Sequence, residues 1–301
     1  MAGSGDTINI PAGTYTLTAG SEVTINKNLT LIGAGQASTV IQATADGSIQ
    51  SRVFKVTGGN VSIANVTIKN GKPVLEGDNE ASHGGGISVL GGTLTLSNST
   101  VTANAAYDGG GIYVGSGAIL NLNSSTVSEN TAQDAAGGIQ VRAGTLVSEG
   151  SAFNSNQSGE GGGGLNVWGG SASLNNTTVT GNTAVSSAGG VYSGGNQGSD
   201  LAITNSTISN NTSEHNGGGI YSYGGTFSLT NTLVIGNSVT ATFSKGGGIY
   251  QQSTATITDS TISGNSAGEI GGGVFNISSL TLINTTITGN SAPTGPDCSG
   301  C

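Results

Sequence analysis

The sequence predicts an all-β fold: a single right-handed parallel β-helix with three short strands and about 26 residues per coil. Three observations predict it. A glycine cluster followed by an apolar residue recurs eight times, the apolar residue being Ile87, Ile112, Ile139, Leu165, Val191, Ile220, Ile249 and Val274, at spacings of 25 to 29. An apolar-x-x-Asn signature follows each, with its asparagine 16 to 20 residues on: Asn104, Asn130, Asn156, Asn182, Asn211, Asn237, Asn265 and Asn290. Between the two lie alternating apolar pairs such as Leu94/Leu96, Leu120/Leu122, Leu201/Ile203, Phe227/Leu229 and Leu280/Leu282.

Each element has a physical reason. Period-2 alternation over three to five residues, bounded by turn residues and without a 3.6 period, means strands. Coils repeated in one frame stack in register about 4.8 Å apart. The glycines suit a tight corner where a Cβ would clash. The asparagines, at one turn of every coil, are expected to form a ladder of side-chain amides along the axis. Residues 82–290 thus form eight regular coils. Residues 1–81 are less regular, but "DTINIPAGTYTLT", "SEVTINKNLTLIGAG" and "GNVSIANVTIKNG" read as about three earlier coils of the same helix, and 291–301 as a tail. Neither end shows an amphipathic capping helix, so the end coils are expected to continue in a longer chain or to associate end to end with neighbouring molecules.

Composition bounds the function. Gly is 55 of 301 residues and Pro only 4, without a Gly-X-Y period, which suits a folded repeat rather than collagen or disorder. Lys and Arg number 7 against 16 Asp and Glu, a net charge of −9 that repels a polyphosphate and argues against nucleic acid. No apolar run approaches the roughly 20 residues of a membrane span, and Met1-Ala-Gly-Ser-Gly lacks the regions of a signal peptide. The two cysteines stand together as Cys298-Ser-Gly-Cys301, too far along the chain to staple the body, and read as a tail or as residues with a partner elsewhere.

The GGGI copies trailed by [VIF]xxN resemble the GGA[ILV] and FxxN repeats of the chlamydial polymorphic outer-membrane proteins and related β-helix passengers of bacterial surface proteins. The likeness runs over about 82–297, including the closing "NSAPTGPDC", with glycine instead of alanine at most third positions and Phe only at Phe153 before xxN. "INIPAGTYTLT" resembles the opening of pectin-lyase-like β-helices. The resemblance implies secretion, surface display and adhesion, and hence an extracellular or cell-surface location.

β-Helix enzymes work on one outer face with clustered carboxylates, alone or with Ca²⁺. One residue past the apolar position, the outward column reads Ser88, Tyr113, Gln140, Asn166, Tyr192, Tyr221, Tyr250 and Phe275; two further on it reads Leu90, Gly115, Arg142, Trp168, Gly194, Tyr223, Gln252 and Ile277. Neither contains Asp or Glu, so the expectation is a protein that is not an enzyme and takes no cofactor. Five of the seven tyrosines lie in these columns with the single tryptophan. Tyr113, Arg142, Trp168, Tyr192, Tyr221, Tyr223 and Tyr250 therefore form a candidate strip for a polysaccharide, a host glycan or a surface protein, the reading of an adhesin. The alternative for the tyrosines is mutual stacking that stabilises the sheet without a ligand. Insertions at 193–200 and 238–245 flank the strip.

Acidic residues do occur in the loops before the glycines, at Asp108, Asp134, Glu160, Glu214 and Glu269, near His83 and His215. Stacked loops of this kind can hold Ca²⁺. Without Asp-x-Asp spacing they read as a solvated acidic edge, and no metal is expected. Two further readings stand open. A Thr-φ-Thr/Ser array at Thr100/Thr102, Thr126/Ser128, Thr178/Thr180, Thr207/Ser209, Thr261/Ser263 and Thr286/Thr288 resembles the surface of ice-binding solenoids. A passive stalk or fibre segment needs neither face.

Overall fold

The computed structural model describes residues 2–18, 22–44, 51–74, 77–195 and 198–301. It is a right-handed parallel β-helix with three sheets along its length, and every strand pair in it is parallel. The first sheet has 20 strands in two arms. One arm stacks the strands that follow the glycines, such as Ile112–Val114 on Ile139–Arg142 and Leu165–Trp168. The other stacks the alternating segments, such as Thr93–Ser97 on Ile119–Asn123 and Thr145–Glu149. In Ile220–Thr230 and Ile249–Thr258 the arms join in one strand. The second sheet has 11 strands, from Gly13–Thr16 to Thr286–Thr288, one per coil. A narrow third sheet, invisible to a period-2 reading, contains six two-residue strands just after the ladder asparagines, from Ala105–Ala106 to Ser238–Val239.

Register holds along the stack, with one bulge between Tyr223 and Thr226, because most inward positions meet their own kind. Val101, Val127, Phe153, Val179, Ile208, Val234 and Ile262 form a fully buried column, and Leu94, Leu96, Leu120 and Leu122 face it from the first sheet. A slip by one residue would place threonines in this core.

Two turns are bonded by side chains. Asn104 donates from Nδ2 to Asn130 Oδ1 at 2.9 Å and from its backbone nitrogen to the same oxygen at 3.0 Å. The pattern repeats through Asn156, Asn182, Asn211, Asn237 and Asn265 to Asn290, and each Nδ2 also donates to a strand carbonyl one coil back. At the last rung Asn290 donates from both nitrogens to Asp297 Oδ1 at 3.0 Å. A carboxylate accepts without offering a further N–H, so it ends the ladder with no donor left over. Beyond it Cys298 pairs with Val274 along the strand and is joined to Cys301 by a disulfide. A second buried ladder, of serine and threonine hydroxyls, runs at the preceding turn through Ser125, Ser151, Ser206 and Ser260.

The residue before each ladder asparagine is left-handed. Gly181, Gly236, Gly264 and Gly289 take this at little cost, but Ala103, Glu129, Ser155 and Asn210 take it too, at φ between 53° and 57°. The third glycine of each cluster answers a different need. A Cβ on Gly111 would lie 2.7 Å from the Gly138 carbonyl and 2.9 Å from Asn130 Nδ2.

Two opposite stability changes are expected. Asn156→Ala leaves the buried backbone N–H of Asn130 without its acceptor, and its Nδ2 with only the Val101 carbonyl, and should lower stability by about 3 kcal/mol. Glu129→Gly, at φ 57°, should raise it by up to about 1 kcal/mol. Urea midpoints at constant slope measure both, and an unchanged midpoint for Asn156→Ala would show that the ladder contributes little.

Candidate functional site

Lateral stacking decides what the outward column of the first sheet becomes. Identical frames place Tyr192, Tyr221 and Tyr250 above one another, with centroids 5.1 and 4.8 Å apart and planes within 4°. Phe275 closes one end, capped by Lys245 Nζ at 5.2 Å, and Trp168 stands at the other, 6.3 Å from Tyr192. The ring faces inside this stack are covered by one another. What the middle rings offer a ligand is their edges and hydroxyls, and Tyr221 already donates its hydroxyl to Gln252 at 3.1 Å. Burial, then its tyrosine neighbours, pushes Tyr221 up to about 12.

The stack breaks where Gln140 and Asn166 replace the rings. From Tyr113 to Tyr192 is three coils, roughly 14 Å of axis, and over this stretch the surface is hollowed. A cavity of about 360 Å³ is lined by Gln140 and Asn166, by the aromatics Trp168, Tyr192 and Tyr221, and by the charged groups Asp78, Asp108, Asp134, Arg142 and Glu160. Trp168 is 40% exposed, whereas Gln140 and Asn166 are almost wholly buried. Tyr113, expected to be an outward contact, is only 7% exposed, because the loop leading to Gly84 folds over it. That loop is pinned by a short 3-10 turn, Glu80–Ser82, whose Glu80 and Ala81 carbonyls accept bonds from Arg52.

The same loop carries Asp78 and His83 onto the outer face. Arg142 Nη1 donates to both oxygens of Asp78, at 2.9 and 3.1 Å, and lies 3.9 Å from Asp108 Oδ2. His83 Nε2 lies 2.9 Å from Asp78 Oδ1 and 3.7 Å from Asp108 Oδ2, and neither approach is aligned as a hydrogen bond. Its ring stacks on Tyr113 at 4.4 Å. Burial holds the imidazole below its ordinary value although the Asp78 charge pulls it up. Asp108 accepts from the Ala135 amide at 3.0 Å, yet burial, with the Asp134 and Asp78 charges adding to it, pushes its carboxyl up to about 6. Burial pushes up Asp78 too, but the Arg142 bond and charge, together with His83, outweigh this and leave it below the usual range. Burial and then Asp134 raise Glu160.

The expectation of an outer face without carboxylates is therefore corrected. It considered only the strand residues, whereas Asp78 and Asp108 arrive from loops that fold back over the strand, and Arg142 has a bidentate carboxylate partner. Asp78, His83 and Asp108 lie close enough together to reach one cation, but the Arg142 guanidinium already stands against both carboxylates. Elsewhere the strip is looser. Tyr223 is 45% exposed and outside the stack, and the 193–200 insertion includes 196 and 197, which lie outside the described residues. On the second sheet the threonine hydroxyls bond one another, as Ser128 does to Thr102 at 3.2 Å, and exposed Leu233 and Ile235 interrupt them.

Comparison with known proteins adds two findings. The Chlamydia polymorphic membrane protein repeat matches residues 205–223, the turn and strand around Asn211 and Ile220. No curated protein matches the chain. Among solved structures the chain is similar to the A-module of Azotobacter vinelandii mannuronan C-5 epimerase AlgE4, at 17% identity over 98% of this chain and 91% of that one, with a TM-score of 0.55. The catalytic unit of a Streptomyces thermodiastaticus GH87 α-1,3-glucanase matches at 14% identity over 97% of this chain and 64% of that one, with a TM-score of 0.41. The chain thus shares its fold with the epimerase module, an enzyme, and the expectation of a non-catalytic protein is corrected along with the carboxylate-free face on which it rested. The matched repeat is that of a surface protein, and no helix among the described residues is long and apolar enough to cross a membrane.

Asp108 sets a pH signature. Its folded value of about 6 exceeds that of an unfolded aspartate, so the folded state holds the proton more tightly, and stability should fall as pH rises from about 4 through 6, by about 3 kcal/mol. In Asp108→Asn this loss should be absent, so the variant gains on the parent at pH 8 and not at pH 4. Thermal melts across that range check it, and parallel curves would refute the assignment.

Proposed function

We propose that this protein is a surface-displayed β-helix that holds a polysaccharide chain across the notch at Gln140 and Asn166 and cleaves it by acid–base chemistry. The observation that carries the reading is one cavity lined both by aromatic side chains, Trp168, Tyr192 and Tyr221, and by a buried carboxyl, Asp108, whose value burial pushes up to about 6. Trp168, with a free face at the end of the stack, supports a sugar ring, and Tyr192 offers a polar edge. Arg142 is clamped to Asp78. Asp108, half protonated near pH 6, supplies a proton to the leaving oxygen, and as the glycosidic bond breaks, water adds to the anomeric carbon and gives up its proton to an ionised carboxylate of the edge. The ionised carboxylates of the edge favour the positive charge that develops on a sugar ring as its glycosidic bond breaks. The fold shared with polysaccharide-acting proteins and the surface-type repeat support the same reading.

The test is a panel of polysaccharides scored both for retention and for new reducing ends. Parent protein should release product at a rate that falls as pH rises through about 6, because the proton on Asp108 is lost there. Asp108→Asn should lose product by about 100-fold or more while still binding, and Trp168→Ala should lose binding. Retention without product in the parent would leave an adhesin, and no retention at all would remove the glycan reading.

A further inference from the structure

We propose that the notch selects a sugar bearing a free, charged amine: the ammonium sits among Asp108, Asp134 and Glu160, and the ring lies against Trp168. This rests on the glycan reading above and names its substrate class. The argument begins from what the cavity lacks. Three carboxylates line it, and so do Gln140 and Asn166, two residues more than nine-tenths buried whose side-chain oxygens, Oε1 and Oδ1, have no hydrogen-bond partner. The orientation of Asn166 is fixed, since its Nδ2 donates to the Gly161 carbonyl at 3.3 Å. Orphaned buried oxygens cost free energy until a donor reaches them. The positive groups nearby are already committed, Arg142 to Asp78 and the buried His83 held toward its neutral form. A ligand that fits must bring N–H donors and positive charge.

An ammonium supplies both, and an aromatic face beside it adds cation–π attraction. A uronate would add a negative charge to an acidic cavity with no uncommitted cation. A bare divalent ion suits the chemistry less well, because it would make no use of the exposed Trp168 ring. The raised values of Asp108 and Glu160 are what uncompensated like charge and burial produce, and a bound ammonium would relieve them.

Calorimetry at pH 6.5 with three trisaccharides tests this: glucosamine, N-acetylglucosamine and galacturonate, each with CaCl₂ and with EDTA. The glucosamine trimer is expected to bind at least about tenfold tighter than its acetylated counterpart, independent of calcium. Gln140→Leu and the exposed Trp168→Ala, neither of which alters net charge, should each lose that preference. Asp200→Asn, on the other arm of the sheet, should keep it. Equal binding of the acetylated trimer would overturn the amine while sparing the glycan reading. Galacturonate binding that needs calcium would overturn it in favour of a metal-bridged acid sugar. A preference that follows Asp200→Asn rather than the notch variants would reduce it to bulk charge, and binding of none of the three would overturn both this inference and the glycan reading.

Discussion

The bond on which everything else rests is the one between coils. Each backbone N–H of one coil meets the carbonyl of the next, and at one turn the asparagine side chain repeats the gesture, Nδ2 to Oδ1 at about 2.9 Å, eight rungs including the closing Asp297. Such bonding tolerates only one arrangement of neighbours, the same frame again. A coil with an extra residue inside the turn would break two ladders at once. Extra residues are therefore placed between strands, as over 240–245, which follow the strand Ser238–Val239.

That constraint explains where a functional site can arise. Positions inside the frame are committed to their own kind above and below, so the outward column tends toward a uniform stack, as it does from Tyr192 to Tyr250. A stack of like rings is self-satisfied and offers a partner little. Chemistry appears where uniformity fails, at Gln140 and Asn166, whose short amides open the notch and leave two oxygens unsatisfied. A second departure lies beside it: the loop of Asp78 and His83 is longer than its counterparts and folds over the strand instead of away from it.

The fold was legible because repetition averages out local ambiguity. One Gly-Gly-Gly-Ile or one Val-x-x-Asn is weak, but eight copies in register leave a parallel helix of coils as the solution. The two-residue strands after each asparagine were not legible, being too short to show a period, nor was the serine ladder, since a buried serine looks like any turn residue. For the site, Trp168, Tyr192, Arg142 and Tyr113 could be placed on one face by counting from the glycines. That Tyr113 is covered could not, because its cover comes from a loop 30 residues earlier in the chain. The same loop delivers the carboxylate partner of Arg142, so the count of acidic residues along the strands missed the chemistry. From the sequence Asp108 reads as part of a solvated edge; its burial follows from the next coil, where the Ala135 amide binds it, and no local pattern encodes that.

An acidic carboxyl kept at about 6 in a stacked edge works against the fold around it, and a protein stabilised by many equal increments can carry such a site. Each rung of the ladder adds roughly the worth of a buried hydrogen bond or two, and the coils are coupled only to their neighbours. The unfavourable charge at Asp108, Asp134 and Glu160 is thus borne locally, across three coils, while the asparagine ladder runs unbroken through them. The orphaned oxygens of Gln140 and Asn166 lie over the same span of coils. Two separate costs in one place, both relieved by a ligand that brings donors and positive charge, are the physical mark that sets this notch apart from the rest of a repetitive surface.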